Sequence, residues 1–492
     1  MIGQWILLVP VLLPALCGLL VGLVKRYQAE KPRHRLVGAA LIANLALAVY
    51  IVLFARGGEL VVWQLTRDIP VLLRVDDLSC LFLLLVNVMW TLAGFYSFPY
   101  MKHEKNEPRF YAYYLITIGV LSALSTAGNI VTLYMFYEAM TLLTLPLVLH
   151  SMTKEAIAAG VKYLVYSIFG ASAALLGIFF LNQYCGTLAF VPGGSLSAEA
   201  LLGHEGTLVA IVFVMILGFG TKAGMFPMHG WLPTAHPAAP APASAVLSGV
   251  ITKMGVLGVI RVVYYMVGAD FLRGTWAQTA WIVLALITVF MGSMLALKED
   301  VLKKRLAYST VSQVSYVLFG LSTLTPVGFV GALLHIVFHS AIKDTLFMAA
   351  GAVIFKTGKK FVSELRGIGK KMPLTMTAFT IVSLGLIGIP PTGGFVSKWY
   401  LASGALKMGG AYAWIGPAVL LVSAILTAAY LLTVSIRGFF PGAQAEPEML
   451  KRDEVGPLML VPMFILCLVT VFLGMFPTAL ISFFQSIAAT LL

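Results

Sequence analysis

Charge is what this chain has least of. Aspartate, glutamate, lysine and arginine make up 11% of its 492 residues, where a soluble domain carries about 25%. So little charge cannot cover a soluble surface of this size, which excludes an ordinary cytosolic enzyme. Cysteine is sparse too. Cys17, Cys80, Cys185 and Cys467 lie far apart, with no Cys-x-x-Cys spacing. Neither an iron–sulfur cluster, a zinc site nor a disulfide framework is expected from that pattern. Acidic residues number 20 against 33 basic ones, a net charge of +13. No nucleic-acid motif accompanies the excess, so no RNA or DNA partner is expected.

Apolar residues fill the space instead, at 60% of the chain. Runs of about 20 residues recur from end to end, each long enough to cross a hydrocarbon core of about 30 Å. Helices are predicted near 2–24, 36–55, 78–98, 111–127, 129–149, 158–182, 207–226, 241–266, 276–297, 303–322, 328–355, 374–402, 412–436 and 457–488. The fold class is therefore all-α integral membrane, with about 14 transmembrane helices. The first run lacks a basic flank and reads as a retained helix rather than a cleaved leader. Segment 57–76 is too polar to span and reads as a short hairpin outside the membrane. The loop at 184–206, with Pro192-Gly193-Gly194-Ser195, is expected to be extramembrane as well.

The basic residues are distributed unevenly. Twenty-two of the 33 fall in one set of alternate loops and five, Arg56, Arg67, Arg74, Arg273 and Lys407, in the other. By the positive-inside rule this puts the basic loops in the cytoplasm and both termini outside, in the inner membrane of a prokaryote. The remaining six, Lys162, Lys222, Lys253, Arg261, Lys343 and Lys398, lie inside apolar runs. Arg261 is near a helix end and is expected to snorkel to the surface. Glu138 and Asp344 are the acids inside apolar runs, and His335 and His339 join them.

Two helices look interrupted. One carries Lys222 and then Pro227 and Pro233; the other carries Pro390-Pro391 and then Lys398. Proline removes a backbone donor, and free backbone groups at membrane depth are tolerated only inside protein or beside a water-filled cavity. Paired interruptions in corresponding positions point to a transport site between inverted repeats. The breaks fall in the seventh and twelfth predicted helices, which fits two inverted five-helix repeats, helices 4–8 and 9–13. The expected divisions are 1–110, 111–266, 276–436 and 437–492: three leading helices with the hairpin, the two repeats, then a cytoplasmic loop and last helix.

A lysine in a membrane helix costs about 2.5–3.5 kcal/mol to insert. Desolvation brings its proton affinity toward neutrality, and a nearby carboxylate opposes that, so a lysine with a movable acid is a switchable proton site. Glu138 has no basic residue within a helical turn; its partner is expected to be a buried lysine of another helix. His335, His339 and Lys343 recur every fourth residue, which sets them on one stripe about 12 Å long. Imidazoles titrate near neutrality, which suits a proton relay. The competing reading of the two histidines is a haem or metal site, which would need further ligands.

At these residues the sequence resembles a known family: the antiporter-like subunits shared by respiratory complex I, Mrp-type cation/proton antiporters and membrane-bound hydrogenases. The resemblance covers roughly 70–480 and rests on four motifs. They are His229-Gly230-Trp231-Leu232-Pro233-Thr234-Ala235-His236, followed by Ala239 to Ala245; Leu306 to Gln313; His339-Ser340-Ala341-Ile342-Lys343; and Gly388 to Phe395. The resemblance implies that Glu138 pairs with Lys222 and that Lys253 is the connecting lysine. It implies that His335, His339 and Lys343 form the central relay, and that Lys398 is the terminal site. Two positions depart from the family pattern. Thr234 stands where an acid is frequent, and Asp344 where a small apolar residue is usual. Asp344 is expected about 100° around the helix from Lys343, off the axis and facing a neighbouring helix or subunit. The long lateral helix of some complex I members is not seen after the last apolar run.

The expected function is proton translocation along a buried Glu/Lys/His axis, in a subunit of a redox-driven complex with no metal or cofactor of its own. Its partners would be the lipid bilayer, other membrane subunits (homologous antiporter-like ones among them) and a redox arm. The alternatives are a subunit of an Mrp-type sodium/proton antiporter and a haem- or quinone-binding redox subunit.

Overall fold

A computed structural model describes residues 2–442 and 446–492; residues 443–445, within the predicted cytoplasmic loop, lie outside the described residues. The chain opens with α1 (Ile6–Leu23) and α2 (Glu30–Phe54). An antiparallel hairpin follows, β1 (Glu59–Thr66) and β2 (Ile69–Arg74), in the 57–76 segment expected to form one. Next come α3 (Asp77–Met101), α4 (Glu107–Ser125), α5 (Ile130–Val148), α6 (Lys154–Tyr184) and α7 (Glu205–Ala223). They are followed by α8 (Ala241–Val267), α9 (Trp276–Lys298), α10 (Leu302–Ser322) and α11 (Pro326–Thr357). The predicted 374–402 helix is two pieces, α12 (Pro373–Ile387) and α13 (Gly393–Met408). Last are α14 (Tyr412–Phe439), α15 (Pro457–Met475) and α16 (Thr478–Leu491). A single helix over 457–488 was expected; it divides at Phe476 and Pro477, because Pro477 has no N–H to continue the ladder.

Eleven of the described helices are long and apolar enough to cross a membrane, by length and composition. The chain is a multi-span membrane protein. α10 stands outside that set because Ser309, Thr310, Ser312, Gln313 and Ser315 sit in its middle, all buried. Such a helix is tolerated only where protein surrounds it on every side.

Local chemistry sets the helix ends. Asn129 Oδ1 accepts from Thr132 N at 2.7 Å to start α5, and Thr325 Oγ1 accepts from Gly328 N at 3.1 Å to start α11. These side chains satisfy backbone donors that a helix start leaves free. Gly224 ends α7 with φ of 79° and Gly388 ends α12 with φ of 95°, a left-handed turn that a residue without Cβ adopts readily.

α8 is buried along its whole spanning stretch, and α11 and α3 nearly so. α8 is not regular: Leu247–Ile251 and Arg261–Val267 are π-helical turns. The second turn exposes carbonyls that the 184–206 loop satisfies. Val191 N donates to Tyr265 O at 3.1 Å and Ser195 N to Met266 O at 2.9 Å.

Arg261 does not snorkel. Its guanidinium grips the Asp76 carboxylate at 2.5 and 2.9 Å, donates to Ser79 Oγ at 3.1 Å, and lies between the Phe190 and Tyr265 rings. Asp76 also caps α3 through Ser79 N at 2.8 Å. A forked, always-charged donor matches the carboxylate and stacks on aromatic faces, so the pair outcompetes a route to the surface. The bridge ties α8 to the start of α3. Asp76→Ala leaves the guanidinium buried and unpaired. It is expected to cost about 3–5 kcal/mol and to lower the unfolding midpoint in detergent clearly. An Asp76→Ala protein that melts with the wild type would contradict this role.

Candidate functional site: a buried polar axis

Lys222 sits in the last turn of α7 and is buried. Its ammonium donates to Ser167 Oγ at 2.7 Å, Thr141 Oγ1 at 2.9 Å and Tyr163 OH at 3.0 Å. Those three acceptors match the three N–H donors of an ammonium group. A hydroxyl can also donate, so the same cage would serve the neutral amine. Trp231 of the motif closes the site by donating from Nε1 to Thr221 O at 2.8 Å, satisfying a carbonyl at the helix end.

Glu138 and Lys222 form no direct ion pair. Glu138 is half-buried, and its Oε1 has no protein hydrogen-bond partner. The lysine is solvated by α5 and α6 hydroxyls instead. Sequence reading missed Thr141, Tyr163 and Ser167; the signal was available as hydroxyl residues within apolar runs.

The second break presents a different cradle. Lys398, in α13, donates to Leu386 O at 2.6 Å and Ile387 O at 2.9 Å, the last carbonyls of α12. A cation there meets the negative end of a helix whose carbonyls lack intrahelical partners. Lys398 is half-buried and lies 5.1 Å from the Tyr316 ring centre. That ring stacks on His335 at 5.4 Å, and His335 stacks on His339 at 5.7 Å with planes 10° apart. His335 Nδ1 also meets Ser397 Oγ at 2.9 Å. From Lys398 inward the predicted residues thus form one stack. Among the described residues, no group of three His, Cys, Asp or Glu gathers as a metal site.

Lys343 continues the stripe. It donates to Ser309 Oγ at 2.7 Å and Leu306 O at 3.1 Å, and Ser309 receives Tyr430 OH at 2.7 Å. Lys253, at the centre of α8, folds back to Ser248 O at 2.5 Å. α7 meets α8 at a glycine: a Cβ on Gly255 would lie 3.0 Å from Lys222 Cβ. His339 is fully buried with neither ring nitrogen partnered by protein, and Gln313 on α10 is in the same state. Buried polar atoms of this kind are ordinarily satisfied by water.

Two further residues carry no assigned role in the sequence reading. His236 is buried, stacked on Phe347 at 4.7 Å, with both ring nitrogens unpartnered by protein. Lys303, counted among the loop cations, is buried and donates to Ala239 O at 2.5 Å. The hinge before α8 exposes carbonyls that draw it inward. A cavity of about 820 Å³ opens beside this hinge, with Glu104, Glu155, Lys162, Lys303 and Lys360 among its lining residues.

Comparison with known proteins bears on this arrangement. The family model described as NADH:quinone oxidoreductase/Mrp antiporter, TM, matches residues 127–427. One described as NADH-Ubiquinone oxidoreductase (complex I), chain 5 N-terminus, matches residues 64–111. The chain is 35% identical over 423 residues to NADH-quinone oxidoreductase subunit N of Desulforudis audaxviator, covering 83% of each protein. It is 30% identical over 426 residues to hydrogenase-4 component B of Escherichia coli, covering 82% of this chain and 62% of that protein. In fold it is similar to a chain of the Mrp complex from a Dietzia species, with a TM-score of 0.85 at 22% identity, covering 100% of this chain and 98% of that one. The match over 127–427, more than half of the 492 residues, with that level of identity, shows that the chain belongs to the NADH:quinone oxidoreductase/Mrp antiporter transmembrane family.

Proposed function

We propose that this chain is a proton-translocating, antiporter-like subunit of a redox-driven membrane complex. The observation that carries the reading is the run of ionisable groups through the helix bundle: Lys222, Lys253, Lys343, His339 and His335, all buried, and half-buried Lys398 at its end. Each such group is costly in hydrocarbon, and a static fold has no use for so many. Glu138 stands at the outer end of the run, near Lys222, as an acid whose charge biases that lysine.

The contacts assign different tasks along the axis. Lys222, caged by hydroxyls, has a surrounding that fits both protonation states and suits exchange. Lys398, held by two carbonyls at the end of α12, suits a terminal site. The breaks after Gly224 and Gly388 supply half-channels, with the cavity beside the 232–238 helix as one mouth. With α12 and α13 counted as the two halves of one broken helix, the reading has three leading helices and two inverted five-helix repeats over 111–266 and 276–436, the breaks in equivalent positions; these make 13, and α15 is the fourteenth. The residues from 440 on add a cytoplasmic loop and the helices α15 and α16.

Relatives named as subunits of a quinone oxidoreductase and a hydrogenase favour a redox arm as driver. Neighbouring membrane subunits would then flank this chain. The basic loops lie in the cytoplasm and both termini outside, in the inner membrane.

Lys398→Ala is the test. In vesicles energised by the native electron donor, proton uptake followed with a pH-sensitive dye is expected to fall at least about tenfold. Assembly on native gels is expected to hold. Full uptake by the assembled variant would remove Lys398 from the pathway. Uptake that requires sodium in the wild type would move the chain to the sodium/proton exchange class.

A further inference from the structure

Asp344 is the one acid inside α11, and the axis above does not use it. It lies next to Lys343 in sequence, but the two side chains diverge. Lys343 reaches α10 through Ser309 and Leu306. Asp344 turns to α8, where a Cβ built on Gly249 would stand 1.8 Å from its Oδ1 and 2.7 Å from its Cγ. One turn earlier, Ser340 Oγ donates to Gly249 O at 2.6 Å. Position 249 is thus a seat for the carboxyl group that any larger residue would fill.

The expectation that Asp344 avoids Lys343 and faces a neighbouring helix matches this placement. The expectation that it stands off the axis does not, because that helix is the one carrying Lys253. Gly249 and Lys253 are four residues apart and share a face of α8. Lys253 folds back toward Gly249, since its Nζ rests on Ser248 O at 2.5 Å. A π-helical turn, Leu247–Ile251, underlies this seat; such turns occur frequently at functional sites.

Asp344 is fully buried, and neither carboxyl oxygen has a hydrogen-bond partner from protein. A structural carboxylate at this depth would be bonded. An isolated ionised one is costly enough to keep its proton or require a cation. On α8 the other interior cation, Arg261, is already committed to Asp76. On α11 itself, Lys343 is held away by Ser309 of α10.

We propose that Asp344 is the proton-exchange partner of Lys253. A proton passes from the Lys253 ammonium to the Asp344 carboxylate, leaving a neutral amine and a neutral acid; the reverse step restores the ion pair. No electrons move, and the pair keeps a net charge of zero in both forms. It can therefore switch at the midplane without exposing an uncompensated charge to hydrocarbon. This rests on the proton-axis reading and adds an acid at its centre.

The test uses Asp344→Asn, Lys253→Gln and the double variant in the intact complex, with Lys398→Ala alongside. Proton uptake is expected to fall at least about tenfold in each single variant, with the double no worse than the lower single, as for residues acting as a unit. Infrared difference spectra on energisation should show a protonated-carboxyl band that Asp344→Asn removes and Lys253→Gln shifts. If Asp344→Asn fails to assemble, the shift in Lys253→Gln still reads the acid, and an unchanged band overturns the pairing. Wild-type uptake by Asp344→Asn while Lys398→Ala is inactive overturns the pairing alone. Multiplicative losses in the double variant do the same. Normal uptake by Lys398→Ala overturns the axis itself, and the pairing with it.

Discussion

A charged side chain in a hydrocarbon interior must be solvated by protein, and this constraint organises the rest of the structure. The chain meets it mostly without ion pairs. Lys222 takes three hydroxyls, Lys343 a hydroxyl and a carbonyl, Lys253 a carbonyl, and Lys398 two carbonyls at a helix end. Carboxylates would have fixed each ammonium as a stable pair. Hydroxyls and carbonyls stabilise it less, and a hydroxyl serves the amine equally well. The exception is Arg261 with Asp76, a bidentate pair tying α8 to α3. The contrast separates groups suited to switching from one suited to holding.

Backbone irregularity is the second consequence. Most of the carbonyls that take a lysine lie where a helix ends or widens; Leu306 O, within α10, is an exception. α7 and α12 end at glycines, and α8 carries two π-helical turns. Glycines on α8 also set how near its neighbours come. Gly255 admits the α7 segment bearing Lys222, and Gly249 admits Asp344 of α11. α8 thus packs against both α7 and α11, and its whole spanning length is buried.

Much of this was legible in the sequence. Hydropathy located the spans and the hairpin, because those depend on composition over many residues. The every-fourth-residue spacing of His335, His339 and Lys343 gave a stripe that the His335–His339 stack matches. Partners of single side chains were less legible. Glu138, the expected partner of Lys222, makes no direct ion pair with it, and hydroxyls on Glu138's own helix and on α6 solvate the lysine. Such residues are common in membrane helices and carry no spacing signal. Lys303 was counted as a loop cation because it adjoins Lys304 and Arg305, and only the fold shows the hinge carbonyl that draws it in. Arg261 reads as a snorkelling residue because it lies near a helix end, and its partner Asp76, 185 positions away, leaves no local signal. The helix breaks were visible as prolines, but α7 ends at Ala223, before Pro227, since Gly224 turns the chain first.

The central claim is that protons cross the middle of the bilayer through the histidine stack of α11. Replacing His339 by alanine removes the ring between His335 and the lysines, at a site where neither ring nitrogen bonds to protein. Proton uptake by vesicles containing the assembled His339→Ala complex tests the claim most directly. A loss of at least about tenfold is expected, with native-gel assembly unchanged. Uptake at the wild-type rate would contradict it.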